Sequence, residues 1–274
     1  PVVVGAADDI SILVTGSTKA GRGSVHLAST GEVYACVDKP IHDPYCRVEC
    51  YPHVIRNLWV AGGSTSTAGL ALRWFRDNFA EEELKEARKS DKVTYQILDS
   101  EAEKSEPGSR GIVFLPHLLG ERCPLWNPQS KGVFVGLKTS HVKGDIYRSI
   151  LEGVAYSLRN IYETLTELNV RIEHLSIANG GAKSGIWRQI VADVIGKPLC
   201  FTGIEESASF GSMILATVYL GIHRNVEAAC EKLIHIKTVH EPRSNLQKRY
   251  SDLYGVYKRV YEALSNEFAT LDLL

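Results

Sequence analysis

Over residues 144–168 apolar side chains recur at Ile146, Ile150, Val154, Leu158, Ile161 and Leu165, at spacings of 4, 4, 4, 3 and 4. That period draws one apolar stripe along a helix and predicts a helix packed on a sheet. Downstream, the apolar run 174–178 predicts a strand, and Gly180-Gly181 the turn behind it. Ser184 is placed to cap a helix through Ile195, which Gly196 and Pro198 close. A strand over 199–202, a helix over 208–220 closed by Gly221, and a long helix over 245–268 complete this half. Upstream, residues 2–4 predict a strand that ends at Gly5, before a turn with two acids, Asp8 and Asp9. The apolar stretch 10–15 fits helix or strand. Residues 19–24 predict a surface turn, and 25–27 and 32–37 two strands about Ser29-Thr30-Gly31. A strand over 57–61 is expected to stop at Gly62-Gly63. Ser64 or Thr67 would then cap a helix over 68–78, with Leu70, Trp74 and Phe75 on one face. Residues 81–89 predict a charged helix, 91–107 a surface helix and loop, and 111–115 a strand before a Pro-rich loop. Strands alternating with helices predict an α/β chain with a layered, mixed sheet flanked by helices.

Composition narrows the function classes. The 274 residues are 44% hydrophobic and 23% charged, an ordinary globular balance, and enough chain for a core without cross-links. Lys plus Arg number 31 against 32 Asp plus Glu, so no basic excess points to nucleic acid. No apolar run approaches the roughly 18 residues that span a bilayer. Of six cysteines only Cys46 and Cys50 are close, flanked by His42 and His53. A zinc site wants four ligands at tighter spacing, so reduced thiols of a cytoplasmic protein are the expectation. The chain opens at Pro1 inside an apolar run, with no initiator Met and one Met in all, which suggests a piece of a longer protein. Oligomeric state is left open, a homodimer included.

Candidate chemistry gathers at four turns. Gly180-Gly181-Ala182 follows a strand and opens a helix, where a ligand can approach the backbone. Neither G-x-G-x-x-G nor G-x4-G-K-[ST] is present. Asp8 or Asp9 can act as a general base or meet a metal through water. Ser29-Thr30-Gly31 can cradle phosphate between two strands, and residues 62–67, Gly-Gly-Ser-Thr-Ser-Thr, form a third hydroxyl-rich segment. Each alone reads as an ordinary turn or cap; together with the acid they point to phosphoryl transfer. Trp59, Trp74 and Trp187 read as packing residues and His117 as structural. Glu121-Arg122 reads as a loop-shaping ion pair or a partner contact. Neither a Ser/His/Asp order nor H-E-x-x-H supports a hydrolase.

The motifs together resemble one family. GVFVGLKTSHVKGDIYRSILEGVAYSL (132–158), NGGAKSGIWRQIVADVIGKPL (179–199), ESASFGSMILA (206–216), LPHLLGERCPLWNP (115–128) and GGSTSTAGLALRWFRD (62–77) resemble, in order, the C-terminal nucleotide-binding domain of the FGGY carbohydrate kinases. The xylulokinase and gluconokinase branch is the more similar. The resemblance implies an actin-like ATPase fold on a ribonuclease-H-like core, over 1–274. It implies transfer of the ATP γ-phosphate to a sugar or polyol hydroxyl, with Mg²⁺ as metal. Asp8 falls at the family's catalytic general base and Asp9 near the substrate. Ser29 and Thr30 fall on the phosphate turn. Gly69 and Arg73 fall near the phosphates, and Gly180, Gly181, Ala182 and Gly185 on the adenosine turn. The glycine before the acid is here Ala7, and the phosphate turn carries Ala28 in place of its glycine. The family's N-terminal domain, which bears most sugar contacts, has no match in this chain, so the isolated chain is expected to have little or no kinase activity. A nucleotide-binding or regulatory module without phosphotransfer is the alternative.

Overall fold

The computed structural model describes residues 2, 3, 12, 13 and 15–273. Asp8 and Asp9 lie outside them, as does the strand expected at 2–4 beyond Val2 and Val3. Two strands, β1 (Arg22–Leu27) and β2 (Gly31–Val37), pair antiparallel across a short turn. Outward from β2 lie β4 (Trp59–Thr65) and then β3 (Glu49–Pro52), both antiparallel to their neighbours. Outward from β1 lie β7 (His174–Ala178) and β8 (Leu199–Phe201), both parallel, and finally the antiparallel β9 (Thr238–His240). The seven make one mixed sheet, ordered β3-β4-β2-β1-β7-β8-β9. A separate pair, β5 (Val113–Pro116) and β6 (Gly132–Val135), is antiparallel.

Period-two alternation assigns the two faces of the sheet. Val25, Leu27, Val33, Ala35, Val37 and Ala61 enter the main core. Tyr34 and Val60 point the other way and meet Ile12. The main core is closed by α4 (Lys143–Glu167), which packs on β2, β4 and β5 and touches most of the surrounding helices. These are α1 (Gly69–Phe79), α3 (Thr94–Lys104), α5 (Gly185–Ile195) and α8 (Gln247–Leu271). The expected stripe of α4 is buried along its length, from Ile150 through Leu165. The charged α2 (Glu81–Lys89) lies outside it. A smaller cluster joins Leu13 to α6 (Ser207–Tyr219) and α7 (Val226–Leu233).

The strand expected to stop at Gly62-Gly63 runs on through Thr65. Gly62 sits inside the sheet opposite Tyr34 and Glu49. A Cβ there would lie 2.1 Å from the Val33 carbonyl oxygen, and one on Gly63 would lie 2.5 Å from Cys123 Sγ. These glycines serve close packing, so residues 62–65 are not a third phosphate-type turn. Neither Ser64 nor Thr67 caps α1, whose cap residue is Ala68; Thr67 instead donates to the Pro116 carbonyl. The strands β3, β6 and β9 and the helix α7 have no counterpart among the expected elements. Among the described residues no helix is long and apolar enough to cross a membrane.

Candidate functional site

A cleft of about 440 Å³ opens where the β1–β2 turn, α1, α3, α4 and the turn before α5 converge. Ser29, Gly69, Arg73, Gly180 and Gly181 all line it. Thus segments more than a hundred residues apart in sequence meet in one place. The remaining candidates stand elsewhere. The Thr30 hydroxyl donates to Glu32 Oε1 at 3.3 Å. Ala182 is fully buried, and Gly185 faces a separate surface depression with Gln189 and Arg243. Asp8 and Asp9 lie outside the described residues.

The lining glycines do different jobs. A Cβ on Gly181 would lie 2.7 Å from Leu27 Cβ and 2.9 Å from the Leu27 carbonyl oxygen, so this glycine lets its turn seat on β1. A Cβ on Gly180 would meet nothing within 4 Å, so Gly180 leaves room rather than closing a contact. Gly69 is again a packing residue: its Cβ would lie 2.5 Å from the Ala28 carbonyl oxygen. The first backbone N–H groups of α1 are engaged with the β1–β2 turn. Ala68 N donates to Ser29 O at 2.8 Å, Gly69 N to Ala28 O at 2.9 Å and Leu70 N to Ser29 O at 3.2 Å. The α1 terminus therefore braces the turn with donors that would otherwise suit an anion.

On the α5 side, Ser184 Oγ accepts from Trp187 N at 3.2 Å and caps the helix as its position predicts. The Trp187 indole is buried and donates to the Leu151 carbonyl at 3.1 Å. Lys183 pairs with Glu205 at 2.7 Å, and Arg73 is exposed at the cleft edge. Two groups here have no counterpart in the sequence expectations, Asp99 of α3 and Tyr147 of α4. Asp99 Oδ1 and the Tyr147 hydroxyl are shielded from solvent, and the two side chains face each other. Burial pushes the Asp99 carboxyl up to about 6, with the Ser184 hydroxyl opposing the shift. The one local signal, bearing on Asp99 alone, is the spacing Thr94, Leu98 and Ala102, an i, i+4 stripe within an acidic stretch. It turns one side of α3 into the core and sets Asp99 at its margin.

Glu121 is a buried hub rather than an ion pair with its neighbour. It accepts from Thr65 Oγ1 at 2.7 Å, Ser66 N at 2.9 Å, Arg122 N at 2.8 Å and Ser157 Oγ at 3.3 Å. Burial pushes its carboxyl up to about 7 against those four donors. His117 stands 3.3 Å away. Burial pulls its imidazole down to about 3, so it is neutral there, held by Ser130 at 2.7 Å and Tyr257 at 3.0 Å. Glu121 and His117 thus join the loop at 117–128 to β4, α4 and α8. All six cysteines are free thiols. Cys50 Sγ accepts from Ile41 N at 3.3 Å. Among the described residues no three His, Cys, Asp or Glu side chains cluster to hold an ion.

Residues 17–220 match the C-terminal domain of the FGGY family of carbohydrate kinases. The chain is 34% identical over 273 residues to a gluconokinase of Bacillus licheniformis, covering 99% of this chain and 53% of that protein. It is 27% identical over 282 residues to a xylulose kinase of Staphylococcus epidermidis, covering 99% and 54%. It superposes on the crystal structure of xylulose kinase from Rhodospirillum rubrum with a TM-score of 0.83 at 26% identity, covering 98% of this chain and 52% of that one. The chain therefore spans about half the length of the curated relatives it matches. The sheet and its flanking helices are those of the actin-like ATPase fold.

Proposed function

We propose, since this chain belongs to the FGGY family of carbohydrate kinases and carries its C-terminal domain, that it is the ATP-binding half of a sugar or polyol kinase. One observation carries this reading: the β1–β2 turn, Arg73 and the Gly180-Gly181 turn share one cleft. Gly180 leaves space for a ligand to come close to the backbone, and Arg73 offers positive charge to a phosphate chain. In the whole enzyme the acceptor hydroxyl gives its proton to Asp8 and its oxygen bonds to the γ-phosphorus. The bond from that phosphorus to the β-phosphate bridging oxygen breaks, and ADP leaves. Catalysis of this kind is positioning and charge neutralisation. Mg²⁺ belongs to such a reaction through the phosphates it binds. Among the described residues no cluster of three His, Cys, Asp or Glu side chains cages it. A second domain, with the sugar contacts, completes the site in this reading, and the isolated chain turns over little or no sugar.

The test is calorimetric titration of Mg-ATP into the chain and into Gly180→Leu. Wild-type chain is expected to bind saturably. Gly180→Leu fills space the structure leaves open, and is expected to weaken binding by about tenfold or more, equivalent to about 1.4 kcal/mol, with an unchanged melting temperature. Gly181→Ala, by contrast, is expected to lower the melting temperature, because its Cβ meets β1. A folded chain that binds no Mg-ATP, or a Gly180→Leu variant that binds as well as wild type, would count against the site. The engaged N–H groups of α1 and the Ala28 methyl favour a second reading, a nucleotide-binding module without transfer. Sugar-dependent ADP release by a two-domain protein containing this chain separates the two.

A further inference from the structure

Val25 and Leu27 of β1 enter the main core, so alternation turns His26 to the other face of the sheet. There it is fully buried. Burial pulls its imidazole down to about 4, so the ring is neutral, and its nitrogens carry a desolvation cost that an apolar residue would not. Its Nδ1 stands 3.3 Å from Asn179 Oδ1, and Nε2 has no hydrogen-bond partner among the described residues. The proton therefore sits on Nδ1, which donates to the amide oxygen. The same oxygen accepts from the hydroxyl of Ser207, the first residue of α6. Asn179 stands directly before Gly180 and takes φ +75°, a left-handed setting that a non-glycine residue keeps only where its surroundings hold it. Its N–H donates to Ile204 O at 3.4 Å, and its carbonyl accepts from Ala182 N at 3.0 Å. Beyond His26 the chain runs through Leu27 to Ala28 and Ser29, which line the cleft opposite Gly180 and Gly181. One amide oxygen thus joins the strand that carries one turn, the residue that opens the other, and α6.

Resting on the reading of this cleft as a nucleotide site, we propose that His26 is a positioning residue for the nucleotide. Acting through Asn179, it holds the Gly180-Gly181 turn in register with the β1–β2 turn. A nucleotide that spans both turns then meets them at a fixed spacing, and less ordering is left to be done when it binds. His26 is not among the residues that line the cleft, and its effect passes through the Asn179 side chain alone.

The experiment measures Mg-ATP dissociation constants and urea midpoints for wild type, His26→Leu, His26→Asn, Asn179→Gly and the double variant His26→Leu/Asn179→Gly. His26→Leu keeps apolar bulk and removes the donor. It is expected to weaken Mg-ATP by about fivefold or more, the worth of one buried hydrogen bond. His26→Asn offers an amide N–H in place of Nδ1 and is expected to recover most of that affinity. Asn179→Gly adopts the left-handed φ without a side chain, and its loss should equal or exceed that of His26→Leu. The double variant should bind no worse than Asn179→Gly, because both changes remove the same bond. A role in stability alone moves the urea midpoints and leaves the folded variants with wild-type affinity; that result overturns the proposal. So does a His26→Asn variant as weak as His26→Leu, and so do single losses that multiply in the double variant. If His26→Leu fails to fold, Asn179→Gly carries the test, and wild-type affinity in it overturns the proposal. Absence of Mg-ATP binding by wild type overturns it together with the nucleotide reading; saturable binding indifferent to His26 and Asn179 overturns it alone.

Discussion

Arg148→Ala is expected to lower the unfolding free energy by about 3–5 kcal/mol, the usual cost of removing one partner of a buried ion pair. Arg148 is 3% exposed and its partner Glu152 is 1% exposed, both on α4. The Nε donates to Glu152 Oε1 at 2.8 Å. One terminal nitrogen donates to the carbonyls of Ala102 at 3.1 Å and Ser105 at 3.2 Å, at the end of α3. The other donates to the Tyr250 hydroxyl of α8 at 3.2 Å. Glu152 in turn accepts from Gly108 N at 2.8 Å and Ser109 Oγ at 2.7 Å. The guanidinium thus ties α4 to α3 and α8, and its partner Glu152 ties α4 to the loop at 108–109. Alanine strands the two carbonyls and leaves a buried carboxyl without its counter-charge. For a chain of this size the melting temperature falls on the order of 10 °C. Arg148→Lys keeps the charge but not the planar fork, and its loss should fall between wild type and alanine. The urea midpoint is the readout. A shift equivalent to less than about 1 kcal/mol for Arg148→Ala would mean that the hub contributes no more than an exposed pair.

Period and punctuation made much of this fold legible. The stripe of α4, the strand β7, the Ser184 cap and the Gly196 closure each depend on local rules that the chain obeys. Gly196 takes φ +74°, the left-handed geometry that a helix-ending glycine is used for. The errors came where tertiary packing outranked local signal. Gly62-Gly63 looks like a stop, but in the sheet it is the thin spot where β4 passes Val33 and Cys123. β3 and β9 are short edge strands of low apolar content, and only pairing makes them strands. The same limit governs the cleft. Ser29, Gly180 and Gly181 stood out because turns carry local signatures, and Arg73, inside α1, only through the family resemblance. Asp99 and Tyr147 were not, because a lone acid on a charged helix and a lone tyrosine on an apolar one acquire meaning only when α3 meets α4. Gly69 and Gly181 were legible as glycines but not in role, since what each accommodates is a backbone carbonyl of β1 or of the turn beyond it.

In a two-domain enzyme containing this chain, Asp8→Asn is expected to lower kcat by about two to four decades, the range that general-base catalysis contributes. Asparagine keeps the size of the side chain and an acceptor oxygen, but it cannot take a proton at neutral pH. The acceptor hydroxyl must then lose its proton to water while its oxygen attacks phosphorus. Mg-ATP affinity should be unchanged, because the nucleotide groups invoked above lie on the β1–β2 turn, α1, α3, α4 and the turn before α5. Sugar KM should change little, since the proton moves only as the transition state forms. That split, a fall in kcat with both affinities kept, is the signature of a base and not of a binding residue. If Asp8→Asn raised KM for the sugar and left kcat within a factor of a few, Asp8 would be a substrate-orienting residue. If no sugar drove ADP release even in the wild-type two-domain protein, the chain would be a nucleotide-binding module. The Ala28 methyl at the β1–β2 turn would then mark the point at which it departs from a working phosphate site.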